Sequence, residues 1–365
     1  MQRKHLIAVV LASTLTLTCS LVGGIADVTD SPAPSDAPEL ATAEPTQLAT
    51  PTIPAALDTL YAPYTSGGQQ AWRLGPGEPV QVDLPVPIGS FYGYAQATDR
   101  ILFAQTFSTH GAGPGPISVS DLAILDLGTG QVQALFPDNV VEALWAPNGR
   151  DLAYILARPS TFELHWLDST GDDRLLARDV TFSWAISPVG DAIAFTRESR
   201  YARTIDPGLY VVGVDDGVEV KVSDADAQGY GSISDQPIWS PDGARVALPI
   251  WASDPARVSL ARADGAGAVD LQIDPVLAGE WWATVALANF IWHPDGEHLV
   301  AAPAVSQTEM GGPVPLVLYR LDLETGMLSE GQLIAEVGSL IGWDVPGHSI
   351  WVTSVEGIPE RLALP

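Results

Sequence analysis

Three groups of residues in this sequence could do chemistry. The first is acidic. Asp224-Ala-Asp226-Ala-Gln-Gly229, with Asp235 at the twelfth position, spaces its oxygen donors like a calcium loop. The pattern is partial: Gln228 stands where a carboxylate belongs, Asp235 replaces the bidentate Glu, and Gly231 falls where an apolar residue belongs. A solvated acidic loop is the plainer reading, and no other metal or cofactor is expected. The second group is aromatic. Trp281-Trp282, beside Glu280, could stack on sugars or anchor a protein partner. Tyr201, Tyr230, Trp251, Arg200 and His110 complete the candidate ligand contacts. Paired Trp rings serve equally well as covers over a buried interface. The third group is histidine. His110, His165, His293, His298 and His348 are scattered over strands and turns, so no His-based metal site or triad is expected. No His-Glu-x-x-His, Walker loop or Gly-x-Ser-x-Gly elbow is present. A glycosidase would need paired carboxylates, which 44 Asp and Glu could supply.

The elements that must position these residues come from an internal repeat. Its clearest copy is Trp239-Ser-Pro-Asp-Gly243, followed by the apolar run Ala244 to Ile250. Pro presets φ within the turn and Gly supplies φ > 0, so the segment reads as strand, tight turn, strand. The other copies start at Tyr94, Trp145, Trp184, Trp292 and Trp343, giving spacings of 39 to 55 residues. A second hairpin follows in the first five units, closing on Gly130, Gly171, Gly217, Gly265 and Gly326. The unit is therefore four antiparallel strands, A to D, with the Trp at the end of strand A in the core. One such sheet cannot bury both faces alone, whereas a ring of them can, and the period is that of propeller blades. The last unit has one clear strand after Trp343, and an unpartnered hairpin, Ala71 to Leu84, precedes the first. Pairing the two chain ends leaves no exposed edge. This predicts an all-β, six-bladed β-propeller of four-stranded antiparallel blades and 24 strands, closed by pairing of the N- and C-terminal strands. The closing blade is either two-plus-two or takes Ile358 to Leu364 as its strand C.

The Trp-Ser-Pro-Asp-Gly turn and its apolar strand resemble the signature of TolB-like, WD-like six-bladed β-propellers, over about Gln69 to Leu364. The resemblance implies architecture more than activity. In TolB itself the propeller is a periplasmic protein-interaction module with a separate N-terminal domain; here a short Pro-rich spacer takes that place. The hydrolase domain that follows the ring in prolyl oligopeptidase-like enzymes is not expected. The A–B and C–D turns fall on one rim. The B–C and D–A loops fall on the other, with insertions at Thr106–Ser118, Arg197–Pro207, Ser223–Gln236, Asp274–Asn289 and Pro303–Pro313. That loop-rich rim is the expected functional face, and the A–B turn rim the inactive one.

The N-terminus is a targeting segment: basic Met1 to His5, apolar Leu6 to Leu17, then Thr16-Leu17-Thr18-Cys19. The last four residues resemble a bacterial lipobox, which implies lipidation of Cys19. Its place as the sole Cys, at the end of the apolar run, favours that reading. Cleavage after Ala26 would instead give a secreted protein, and Leu6 to Ile25 is long enough to stay as a membrane anchor. All three place the body outside the cytoplasm. Residues 1–18 are thus signal peptide, 19–63 a Pro/Ala/Thr-rich disordered spacer, and 69–365 the propeller. A net charge of −27 argues against nucleic acid as a partner. The expected protein is a monomeric module, membrane-held through lipid on Cys19, that binds a protein, peptide or glycan. The alternative is a polysaccharide hydrolase or lyase with a carboxylate-based site in the central funnel.

Overall fold

The computed structural model describes residues 59–61, 68–75, 77–105, 107–110, 117–198, 206–224, 236–250, 257–273, 287–303, 314–322, 327–345, 349–354 and 358–364. At the N-terminal end β1 (Thr59–Tyr61), β2 (Gly68–Leu74) and β3 (Val80–Ile88) form a three-stranded antiparallel sheet. An A–B–C–D order then repeats. The first unit holds β4 (Ser90–Ala95), β5 (Arg100–Ala104), a short inserted β6 (Phe107–His110), β7 (Ile117–Asp126) and the first part of β8 (Val132–Trp145). The second takes the rest of β8, then β9 (Leu152–Ala157), β10 (Phe162–Leu167) and β11 (Asp173–Arg178). The third is β12 (Trp184–Ile186), β13 (Ala192–Arg197), β14 (Gly208–Gly213) and β15 (Glu219–Ser223). The fourth is β16 (Ile238–Trp239), β17 (Arg245–Ile250), β18 (Arg257–Arg262) and β19 (Ala268–Ile273). The fifth is β20 (Leu287–Trp292), β21 (His298–Pro303), β22 (Val314–Asp322) and β23 (Met327–Val337). A three-stranded sheet of β24 (Ser339–Val345), β25 (Ser349–Thr353) and β26 (Pro359–Ala363) completes the described residues.

Two expectations about the chain ends are corrected. Residues 359–363 do supply a third strand beside β25, but among the described residues no ladder joins them to the N-terminal sheet. The N-terminal hairpin has recruited β1 instead, from inside the segment expected to be spacer, and Leu60 there is buried. The ends communicate through a side chain: the Arg361 guanidinium donates to the carbonyls of Gly75 (2.6 Å) and Gly77 (3.1 Å). The units are also less separate than expected. β8 runs unbroken from one unit into the next, with Val140 paired to both Ser120 and Leu156. β19 pairs in parallel with β23.

The core lies between the units. Strand β9 is buried at all six positions, while the outer strand β11 alternates with exposed residues. A run without alternation is what a strand covered on both faces requires. Phe162, Leu164 and Trp166 of the second unit pack against Trp184, Phe195 and Tyr210 of the third.

Four A–B turns share one geometry. The glycine N–H bonds back to the carbonyl three residues earlier in Ala146–Gly149, Ser187–Gly190, Ser240–Gly243 and His293–Gly296, at 2.9 to 3.0 Å. Each of these glycines has φ between 63° and 79°, which an L side chain adopts only at a cost. The alignment of the third unit needs correcting. Trp145, Trp239 and Trp292 pair with Leu152, Val246 and Leu299, and the residue at that place in the third unit is Ile186, paired with Ile193. Trp184 sits one pleat earlier on the same face and is wholly buried.

Candidate functional site

The strongest polar centre is Glu142, whose surroundings come from four units. In β8 a bulge falls between Val140 and Glu142, so Val141 is the extra residue and Glu142 follows it. Bulges re-aim the side chains next to them. Here the Glu142 Oε2 accepts the Trp184 indole N–H at 2.8 Å, and its Oε1 accepts the Gln236 amide at 3.2 Å. Trp184 opens strand A of the third unit and Gln236 lies two residues before strand A of the fourth. From the first unit, the Tyr92 hydroxyl bonds Ser120 Oγ at 2.7 Å and donates to the Val141 carbonyl at 3.5 Å. Residues in or just before strand A of four consecutive units are therefore linked by hydrogen bonds around Val141 and Glu142.

Glu142 retains some open surface, but protein crowds its carboxyl group. Burial pushes its pKa from 4.5 up to about 7, although the bonds from Trp184 and Gln236 both act to hold it down. A carboxyl group poised near neutrality can carry a proton or a charge in the ligand-free state, and either form can hydrogen-bond a polar ligand. The displaced Trp184 explains how the carboxyl is held: an indole at Ile186 would lie one pleat further from it. Glu198 is a second buried carboxylate, 5% exposed, just beyond the end of strand B in the third unit. Gln236 lies at the D–A connection before β16 and Glu198 at the start of the B–C connection after β13, while Glu142 lies inside β8, where strand D runs directly into strand A. Gln236 and Glu198 thus belong to the set of connections where function was expected.

Of the residues singled out from the sequence, few can be placed. Trp281, Trp282, Glu280, Tyr230, Tyr201, Arg200 and Trp251 lie outside the described residues, as do Cys19, Asp226 and Asp235. His110 ends β6, paired with Ile117, so the first insertion contains a strand. Asp224 is exposed and its carboxylate meets Lys221 Nζ at 2.6 Å. Glu142 and Gln236 were missed because neither belongs to a motif. The available signal was their shared place three residues before the turn Trp, Glu142 before Trp145 and Gln236 before Trp239.

The other rim holds two features that sequence reasoning denied it. A cavity of about 440 Å³ is lined by Thr59, Tyr94, Gln96, Trp145, Ile341 and Trp351. In the fifth A–B turn, His293 and His298 converge on Asp295, correcting the expectation that no histidines meet. The reason is local: a tight turn brings residues five apart into contact across its mouth.

No protein family matches the sequence, nor does any curated protein. Solved structures are similar in fold. Hydrazine synthase from Kuenenia stuttgartiensis is 10% identical over 88% of this chain and 99% of that one, with a TM-score of 0.51. The β-propeller domain of the Trilobed protease from Pyrococcus furiosus is 14% identical over 85% and 93%, with a TM-score of 0.46. TolB from Acinetobacter baumannii is 12% identical over 76% of this chain, with a TM-score of 0.43, and the match spans 65% of the TolB chain, under two thirds of its length. Identities this low speak of fold alone. The repeated four-stranded antiparallel units are propeller blades, and the all-β propeller architecture expected from the repeated turns is the fold found. Among the described residues, no helix is long and apolar enough to cross a membrane.

Proposed function

We propose that the protein is an extracytoplasmic binding module, held to the membrane through lipid on Cys19, that takes a protein, peptide or glycan ligand on its loop-rich rim. The observation that carries the reading is the Glu142 centre. Its carboxyl group is held by an indole and an amide from two other units, and the amide, that of Gln236, comes from one of the D–A connections of the loop-rich set. Such a centre gives a fixed polar floor, around which loops of differing sequence supply specificity. The basic and apolar N-terminal segment with Cys19 at its end supports the tethering. Binding to a peptide or glycan array by the purified protein tests this. A Glu142→Lys variant that stays folded should lose the retained ligand, and a wild-type protein that retains nothing overturns the reading.

One observation favours a second reading, a polysaccharide hydrolase or lyase. A carboxyl group with its pKa near 7 suits general acid–base work at neutral pH. In that reading Glu198 is the buried partner, and Glu142→Gln abolishes turnover of a polysaccharide while leaving its binding in place.

A further inference from the structure

We propose that the fifth A–B turn is a binding site for one divalent transition-metal ion, ligated by His293, Asp295 and His298. One oxygen, Asp295 Oδ2, is approached by His293 Nδ1 at 2.8 Å and by His298 Nδ1 at 2.7 Å. All three ligand atoms lie within 4.8 Å of one another, and the imidazole rings stand edge-on with centroids 5.6 Å apart. The other carboxylate oxygen, Oδ1, is already committed, accepting the backbone N–H groups of Glu297 (2.7 Å) and His298 (3.2 Å). The turn thus fixes the carboxylate plane and leaves Oδ2 for the imidazoles. Held by hydrogen bonds alone, the cluster needs a proton on both Nδ1 atoms. Yet the Asp295 backbone N–H donates to His293 Nδ1 at 3.3 Å, which requires a lone pair there. A cation bound by the three atoms needs lone pairs on all of them.

The sister turns show that the fold does not demand these residues. The turn accepts Ala146, Ser187 or Ser240 where His293 stands, and Asp151, Ala192 or Arg245 where His298 stands, with the same backbone hydrogen bonds. In the fourth unit, Ser240 Oγ merely donates to Asp242 at 2.6 Å. Only the fifth turn keeps the Asp and flanks it with two imidazoles. Tetrahedral zinc, with bonds of about 2.0–2.2 Å, needs donors roughly 3.3 Å apart, so each imidazole need draw back from the carboxylate oxygen by only about half an ångström. Their half-open surfaces, 20%, 36% and 29% exposed for His293, Asp295 and His298, permit that and leave a fourth position to water. Two imidazoles and one carboxylate favour Zn²⁺, Ni²⁺ or Cu²⁺ over Ca²⁺ or Mg²⁺.

Co²⁺ is the spectroscopic probe, titrated into the full chain with excess Mg²⁺ and Ca²⁺ to occupy the acidic surface and then displaced by Zn²⁺. One equivalent should bind with visible d–d absorption. His293→Ser with His298→Arg copies the fourth turn and so should keep the fold, which circular dichroism checks. It should weaken binding by on the order of 100-fold. Folded wild-type protein that takes up no Co²⁺ overturns the proposal, as does undiminished binding in the folded variant.

Discussion

The Glu142 centre and the His293–Asp295–His298 turn are both polar clusters on a β scaffold, built in opposite ways. Glu142 is assembled from strands far apart in sequence, with Gln236 reaching it from 94 residues away. The His–Asp–His cluster lies within six residues of one hairpin. A site spread over several blades depends on how the blades sit, so its chemistry and the stability of the interior are coupled. A site inside one turn depends only on that turn and can be gained or lost without disturbing the rest.

That contrast predicts graded effects. The largest should be a transplanted site. Ser240→His with Arg245→His, in the fourth turn, places imidazoles on either side of Asp242 and should double the Co²⁺ stoichiometry from one to two. Next is Trp184→Ala, which empties a wholly buried indole position and removes a donor to Glu142. Urea denaturation should show a loss of about 3–5 kcal/mol. Third is the titration of Glu142. Its folded pKa lies above the unfolded 4.5, so between pH 4.5 and about 7 the native state holds the extra proton and wild-type stability falls as pH rises. Glu142→Gln removes that dependence. The variant should gain about 1–3 kcal/mol on wild type across this window, then level off. The smallest effect should come from Gly296→Ala. Its φ is 73° and a new Cβ meets nothing within 4 Å, so only backbone strain is added, about 1 kcal/mol by thermal denaturation. Its Co²⁺ affinity reports whether the turn alone positions the ligands.

The sequence was legible where structure is local. Pro and Gly at fixed offsets disclosed the A–B turns at Trp145, Trp239 and Trp292, because turn chemistry acts within five residues. The same logic misaligned the third unit. Trp184 is the only Trp near that turn, but the ladder is set by the Ser187–Gly190 turn, which puts Ile186 opposite Ile193. Closure of the chain ends was illegible because it depends on competition between edges. β1 had no motif, yet its buried Leu60 and its ladder to β2 take the edge that a C-terminal strand was expected to fill. Glu142 was illegible for a further reason. A carboxylate in a strand becomes unusual only when a bulge and two distant donors surround it. The His–Asp–His turn was within reach of the sequence: His at the first and sixth positions of a hairpin turn meet across its mouth.

The claim that matters most is that the loop-rich rim is the binding face, with Glu142 at its floor. Side-by-side peptide and glycan arrays of wild type, Glu142→Lys and His293→Ser/His298→Arg test it directly. The account predicts that the retained ligand is lost only in Glu142→Lys and that the turn variant binds like wild type. Loss in the turn variant with full retention in a folded Glu142→Lys protein would contradict it and move the binding face to the opposite rim.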